Sequence, residues 1–152
     1  MSFFTYNVNQ AIGRGRGEKI EPLPFKEKIW LVIVHPPYEL STRLVYERYR
    51  RLGQLTRISH AVRMTSGFFR PLERGVPTRM LVNDLSRASS DMLPEIKQVE
   101  RLMRDAGAKK VLMSGSGPTM FSIHGSRKEA KRVGERIRRR SPALRVFICH
   151  TF

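Results

Sequence analysis

Apolar and polar positions change period several times along the chain, and each change marks an element. Residues 29–34, IWLVIV, are six apolar positions closed by Pro36 and Pro37, which predicts a buried strand. Ser41 can then cap a helix running through Leu52, with Leu44, Val45, Tyr49 and Leu52 as its apolar stripe. Thr42 and Tyr46 stand four apart at the edge of that stripe and are expected to share one partly exposed face. Asp91 reads as the cap of a second helix ending at Ala106. Leu93, Ile96, Val99, Leu102, Met103 and Ala106 keep helical spacing there, Pro94 falls in the first turn, and Gly107 stops the helix. KKVLMS (109–114) and TMFSIH (119–124) are predicted strands on either side of a Ser-Gly-Ser-Gly-Pro turn. Ser126 and Glu129 form a capping box that opens a helix with Ala130, Val133 and Ile137 inward and Pro142 as its stop. LRVFICHTF (144–152) is a last strand.

Elsewhere the pattern is weaker. FFTY (3–6) and AIGRGRGEKI (11–20) look like strand fragments around turns, ending at Pro22 and Pro24. Glycine-arginine repeats also occur in disordered RNA-binding tails, but here two repeats run straight into strand-like sequence. Between 57 and 81, ISHAVRMTSGFF reads as a short helix and PLERGVPT as a loop. Collapsing that insert leaves the order βαββαβ, a split β-α-β of the ferredoxin-like kind. The class is α+β, with helices over one face of an antiparallel sheet. Many unrelated functions use this architecture.

A chain of 152 residues, 40% hydrophobic, can bury a real core. No apolar run reaches the roughly 18 residues of a membrane span, and Met1 is not followed by a signal-peptide pattern, so no membrane partner is expected. Cys149 is the only cysteine, which excludes an intrachain disulfide and fits a reducing cytoplasm; it reads as core rather than as a nucleophile. His60 reads as solvent-facing, and His35, His124 and His150 lie at or near strand ends. None has metal-ligand spacing, so no metal site is predicted.

The net charge is +16, from 29 Lys and Arg against 13 Asp and Glu. Such an excess attracts polyanions. Arg48, Arg50 and Arg51, and again Arg136, Arg138, Arg139 and Arg140, cluster on predicted helices, where solvated faces are the simpler account. No RNP-like aromatic motif, zinc-finger spacing or KH-type loop is present, so nucleic acid is compatible with the charge but not favoured.

The turn in VLMSGSGPTMF (111–121) carries the chemistry. Its glycines allow positive φ and close backbone approach, and successive N–H groups in such a turn can form an anion-binding concavity. A plain hairpin turn has the same composition. Together with GRGRGEKIEPL (13–23), HPPYELSTRLVY (35–46) and NDLSRASSDMLPEI (83–96), in that order, it resembles the C-terminal half of the 4-diphosphocytidyl-2-C-methyl-D-erythritol kinase family, within the GHMP kinase superfamily. The resemblance runs over nearly the whole chain and covers about the second half of the family's usual sequence. It implies a GHMP kinase C-terminal domain over 26–152, with 1–25 as a remnant of the N-terminal kinase domain.

It also implies an activity. ATP, with Mg2+, donates its γ-phosphoryl group to the 2-hydroxyl of a cytidine-diphosphate-linked methylerythritol, in isoprenoid synthesis outside the mevalonate route. Thr42 and Tyr46 match the positions that contact the cytidine end of that substrate. Gly115, Ser116 and Gly117 match the third superfamily motif, which packs close to the phosphate loop. No phosphate loop of the G-L-G-G-G-S-S-N-A type is present, and GRGRG is no substitute because no helix start follows it. Ser2, Phe3 and Phe4 match the stretch after the family's catalytic aspartate, which falls upstream of Met1 or on it, and the family lysine would lie far upstream. VNQ (8–10) replaces a more glycine-rich family turn, and the spacing from Phe4 to Gly13 runs one residue longer. The resemblance therefore assigns no catalytic residue here, and the chain alone is expected to be inactive, to bind no cofactor tightly and to expose the strands of 3–23. Three readings compete: the C-terminal portion of a kinase, a basic nucleic-acid-binding module, and a non-catalytic GHMP-like module.

Overall fold

A strand with apolar residues on both faces needs a neighbour on each side and cover on at least one face. Trp30–His35 obtains the neighbours at the centre of a four-stranded antiparallel sheet. The computed structural model describes residues 11–14, 19–22, 28–53 and 82–151. In chain order these give β1 (Ala11–Arg14), β2 (Lys19–Pro22), β3 (Trp30–His35), α1 (Thr42–Arg51), α2 (Leu85–Met92), α3 (Glu95–Asp105), β4 (Val111–Met113), β5 (Met120–His124), α4 (Arg127–Arg140) and β6 (Arg145–His150). The sheet order is β4-β5-β3-β6, with β3 pairing antiparallel to both β5 and β6. This is the split β-α-β arrangement the periodicity predicts. Among the described residues β1 and β2 pair with each other, Ala11 opposite Pro22 and Arg14 opposite Lys19.

The pleat sorts the residues. Val32 and Val34 of β3 and Val146 of β6 face the helices and are buried, as are Met113 and Met120. Ile96, Val99 and Met103 of α3 and Ala130, Val133 and Ile137 of α4 complete one core. Each fully buried aliphatic side chain contributes about 1.5–3 kcal/mol. Gly134 sets how close α4 lies to the sheet. A Cβ there would stand 2.8 Å from Cδ1 of Ile148, so the small residue is kept inside a helix despite its lower propensity.

Several expectations need correction. Asp91 does not cap a helix; it lies inside α2, and a separate helix begins at Glu95 with Pro94 at the cap position. Proline disfavours helical backbone at the residue before it, and Leu93 takes φ −135°, ψ 87°, which breaks the helix in two. Ser41 occupies the cap position of α1, but its side chain makes no capping bond. Of the stripe on α1 only Val45 is buried, and Leu44 is 42% exposed, because α1 packs along α2 on a narrow seam instead of on the sheet. Cys149 is half-buried on the sheet face opposite Val146 and outside the core. Ser126 caps α4 as expected, its Oγ accepting from the Glu129 N–H at 3.2 Å. FFTY, His60 and the reading of 57–81 lie outside the described residues. No described helix is long and apolar enough to cross a membrane.

One titratable side chain is buried among the described residues. His124, 4% exposed, shares a 2.8 Å hydrogen bond from Nε2 to Oγ of fully buried Ser122. Its Nδ1 lies 3.9 Å from Glu129, beyond hydrogen-bond reach. Burial holds the imidazole below its ordinary 6.5; Glu129 opposes this only in part. The neutral ring is therefore the folded form at pH 7. The unfolded chain binds the extra proton first as pH falls through 6.5, so His124 contributes stability that is full above 6.5 and lost below it. The melting temperature is expected to fall between about pH 7.5 and about pH 5.5, by about 2–4 °C for each kcal/mol lost, and to fall less in His124→Gln. Equal slopes in both proteins would assign the acid sensitivity to other groups.

Candidate functional site

The Ser-Gly-Ser-Gly-Pro turn closes on itself first. The Ser114 N–H donates to the Thr119 carbonyl at 2.8 Å, and the Gly117 N–H to the Ser114 carbonyl at 3.0 Å. Gly115 (φ +56°) and Gly117 (φ +85°) both use left-handed backbone, the conformation their residue type makes cheap. The Gly117–Pro118 peptide is cis.

Three other segments then hold the turn. The Asn83 side-chain amide donates to the carbonyls of Met113 and Gly115, each at 2.8 Å, while its Oδ1 accepts from the Leu85 N–H at 3.0 Å. The buried Ser89 hydroxyl, on α2, donates to the Ser116 carbonyl at 2.9 Å. The hydroxyls of Thr42 and Ser116 are 2.8 Å apart. Beneath the turn, His35 Nδ1 and the Thr119 hydroxyl are hydrogen-bonded at 2.9 Å. A buried hydroxyl that loses its partner costs about 1–3 kcal/mol, so the bond from Ser89 adds to the turn's own two bonds in holding it.

The two sets of residues singled out in the sequence thus meet. Thr42 touches Ser116 directly. Gly115 is tied through Asn83, and Gly117 sits against Met113 and Ile96. Tyr46 is one helical turn beyond Thr42 and 48% exposed. It lines a groove of about 580 Å³ with Tyr49, Asn83, Gly115 and Phe121. The groove has an aromatic wall, backbone and amide groups at one end, and few charges. Such a surface suits a planar ring carrying polar edges. Arg48 and Asp91, 3.0 Å apart, join α1 to α2 behind it; both are partly exposed, so the pair adds at most about 1 kcal/mol.

Sequence reasoning did not assign roles to Asn83 and Ser89. Their signal was NDLSRASSDMLPEI as a whole, with an Asn two residues before a helix start and a small Ala-Ser pair where α2 must approach another backbone. Among the described residues no three His, Cys, Asp or Glu side chains gather in a way that could hold a metal ion, so no group of this chain is assigned to magnesium.

The fold and the turn define a class, a kinase C-terminal domain in which a glycine turn is braced by helices. The family model described as GHMP kinases C terminal matches residues 47–143, and the chain belongs to that family. More narrowly, it is similar to proteins named 4-diphosphocytidyl-2-C-methyl-D-erythritol kinase. It is 38% identical to that of Geobacillus kaustophilus (strain HTA426) over 122 residues, 77% of this chain and 40% of the relative. It is 30% identical to that of Moorella thermoacetica (strain ATCC 39073 / JCM 9320) over 133 residues, 87% of this chain and 47% of the relative. The solved structure of a 4-(cytidine 5'-diphospho)-2C-methyl-D-erythritol kinase superposes with a TM-score of 0.70 at 28% identity, covering 92% of this chain and 48% of that one. The chain spans about half the length of the curated relatives it matches.

Substitution separates the two glycines. A Cβ at Gly115 would meet open space, whereas one at Gly117 would stand 2.7 Å from Sδ of buried Met113. Gly115→Ala is expected to cost the backbone strain alone, about 1–2 kcal/mol, and Gly117→Ala to cost more because Met113 must also move. Urea unfolding of both variants measures this. Equal losses would remove Met113 from the account.

Proposed function

We propose that this chain supplies the cytidine-side wall and the turn-bearing support of an ATP-dependent kinase acting on the 2-hydroxyl of 4-diphosphocytidyl-2-C-methyl-D-erythritol. The observation that carries the reading is the 2.8 Å contact between Thr42 and Ser116. It couples the helix that bears Tyr46 to the glycine turn. Residues implied to hold the cytidine end of the substrate and residues implied to support the phosphate loop need such a rigid link. A phosphoryl transfer gains most of its rate from positioning and charge stabilisation, and a displacement of about 1 Å can cost about a hundredfold.

In this reading Tyr46 stacks on the cytosine ring and the Thr42 hydroxyl, held by Ser116, faces the polar edge of the same nucleoside. Gly115 and Gly117 leave the turn free of side-chain bulk where a phosphate loop packs. ATP binds chiefly to that loop, and Mg2+ would neutralise its phosphates; neither is assigned a ligand in this chain. The segment 1–25 is assigned to the N-terminal kinase domain and 26–152 to the C-terminal one.

Two outcomes are expected. The chain alone, given ATP, Mg2+ and the cytidine-linked substrate, shows no turnover above background, because it carries no phosphate loop, lysine or aspartate of the family pattern. Turnover at a normal enzymatic rate would overturn this. Fused to the N-terminal half of a relative, the chain is expected to support turnover. There Tyr46→Ala raises KM for the cytidine-linked substrate about tenfold to a hundredfold, the value of one lost stacking contact, with KM for ATP within about twofold. Equal effects on both substrates would return Tyr46 to a solvent-facing rim aromatic.

A further inference from the structure

β3 joins two chemically different ends of the domain. Its last residue, His35, contacts Thr119 at the glycine turn. Its first, Trp30, lies about 17 Å away along the strand, in a different recess. That recess, about 590 Å³, is lined by Lys28, Trp30, Arg127, Lys131, Arg138 and His150.

The recess is built rather than merely charged. Trp30 and His150 are partners across β3 and β6, and their rings meet edge to face at 4.8 Å. The Arg127 guanidinium lies 5.9 Å above the Trp30 ring. Arg138 is anchored by a 2.7 Å bond from Nη2 to the Val146 carbonyl, so its remaining donors have a fixed origin. Arg127, Lys131 and Arg138 project from one side of α4 because they are four and seven residues apart. Glu135 is the one acidic group in the lining; its pair with Lys131 is 3.8 Å long and exposed, and is given up at little cost. Lys28 and Arg127 have no acidic partner among the described residues. Four cations around one recess repel one another and gain from a shared anion.

We propose that this recess is an anion site for an oligophosphate group, separate from the substrate groove at the other end of β3. Guanidinium forks and lysine ammonium groups match phosphate oxygens, and a chain of linked phosphates can touch several of them at once. The Trp30 ring is already taken by Arg127 and His150, so it is a wall and not a platform for a base. The site therefore reads phosphate, whether free or attached to a nucleoside.

Trp30 is the only tryptophan of the chain, so its fluorescence reports this recess. Sodium tripolyphosphate is titrated into the full chain, with ATP and a single-stranded RNA oligomer as parallel arms. A saturable change in Trp30 emission is expected with tripolyphosphate and with ATP, weakening as salt is raised. Lys28→Glu with Lys131→Glu is expected to weaken tripolyphosphate by about tenfold or more, while Lys128→Glu with Arg139→Glu, which makes the same change in net charge on the same domain, stays within about twofold. Melting curves confirm that both doubles fold, since all four side chains are exposed. No saturable signal, equal loss in both doubles, or a response to the RNA oligomer alone would each overturn the proposal. Because neither pair touches the glycine turn or Tyr46, the result is independent of the kinase reading.

Discussion

Everything that gives this domain a site depends on how one five-residue turn is restrained. Two glycines at positive φ make Ser114–Pro118 able to turn, but left alone they also make it able to move. The restraint comes from outside the hairpin. Asn83 bridges two of its neighbouring carbonyls, Ser89 holds a third, and Thr42 holds the Ser116 side chain. Each of these residues stands at or near the start of a helix or within one packed on it. The positions of α1 and α2 are thereby written into the position of the turn. These bonds tie together the two walls of a groove that has Tyr46 and Tyr49 on one side and the turn on the other.

The same logic explains why the helix pair between β3 and β4 is broken where it is. A single helix from Leu85 to Asp105 would carry Ser89 and Ile96 as one rigid rod. Ser89 must reach the Ser116 carbonyl while Ile96 lies in the core beside Met113. Pro94 forces Leu93 out of helical backbone and lets α2 and α3 take separate directions. The break that sequence periodicity passed over is the feature that lets one segment serve both the core and the turn.

Long-range order was legible where the pattern was dense. IWLVIV with its Pro-Pro stop reads as a buried strand, and Ala130, Val133 and Ile137 mark the inner face of α4, so the βαββαβ order and the sheet were within reach of the pattern. Thr42, Tyr46 and the glycine turn came from motif resemblance, and the structure adds that Thr42 and Ser116 touch. What periodicity could not reveal were the residues that act through geometry. Asn83 makes three hydrogen bonds, yet in sequence it is one polar residue beside another. Leu44 keeps helical spacing but faces solvent, because spacing shows which residues share a face and not whether a neighbour covers it. Cys149 sits in an apolar run, but β6 is an edge strand and only alternate residues of it reach the core.

Charge is the property of this chain that its aromatic groove does not explain. The groove is lined mainly by aromatic, amide and backbone groups, and Asp84 is the acid among them. More than a third of the excess lies instead on α4, where eight basic residues stand against two acidic ones over fourteen positions. A helix that carries so many like charges repels itself, and surface ion pairs at four-residue spacing recover little of that cost. Part of the load is used structurally, since Arg136 reaches the Ala106 carbonyl and Arg138 the Val146 carbonyl, closing the ends of neighbouring elements. Of the others, Arg127 and Lys131 stand beside Arg138 on the side where α4 overhangs Trp30 and His150. Burial of Val133 and Ile137 holds the helix against the sheet and Gly134 lets it sit close, so the stems of these side chains start from fixed positions beside Trp30. The packing that makes the core also concentrates positive charge at one recess, and that coupling is why the far end of β3, rather than the helix surface at large, is the place where an anion would gain most.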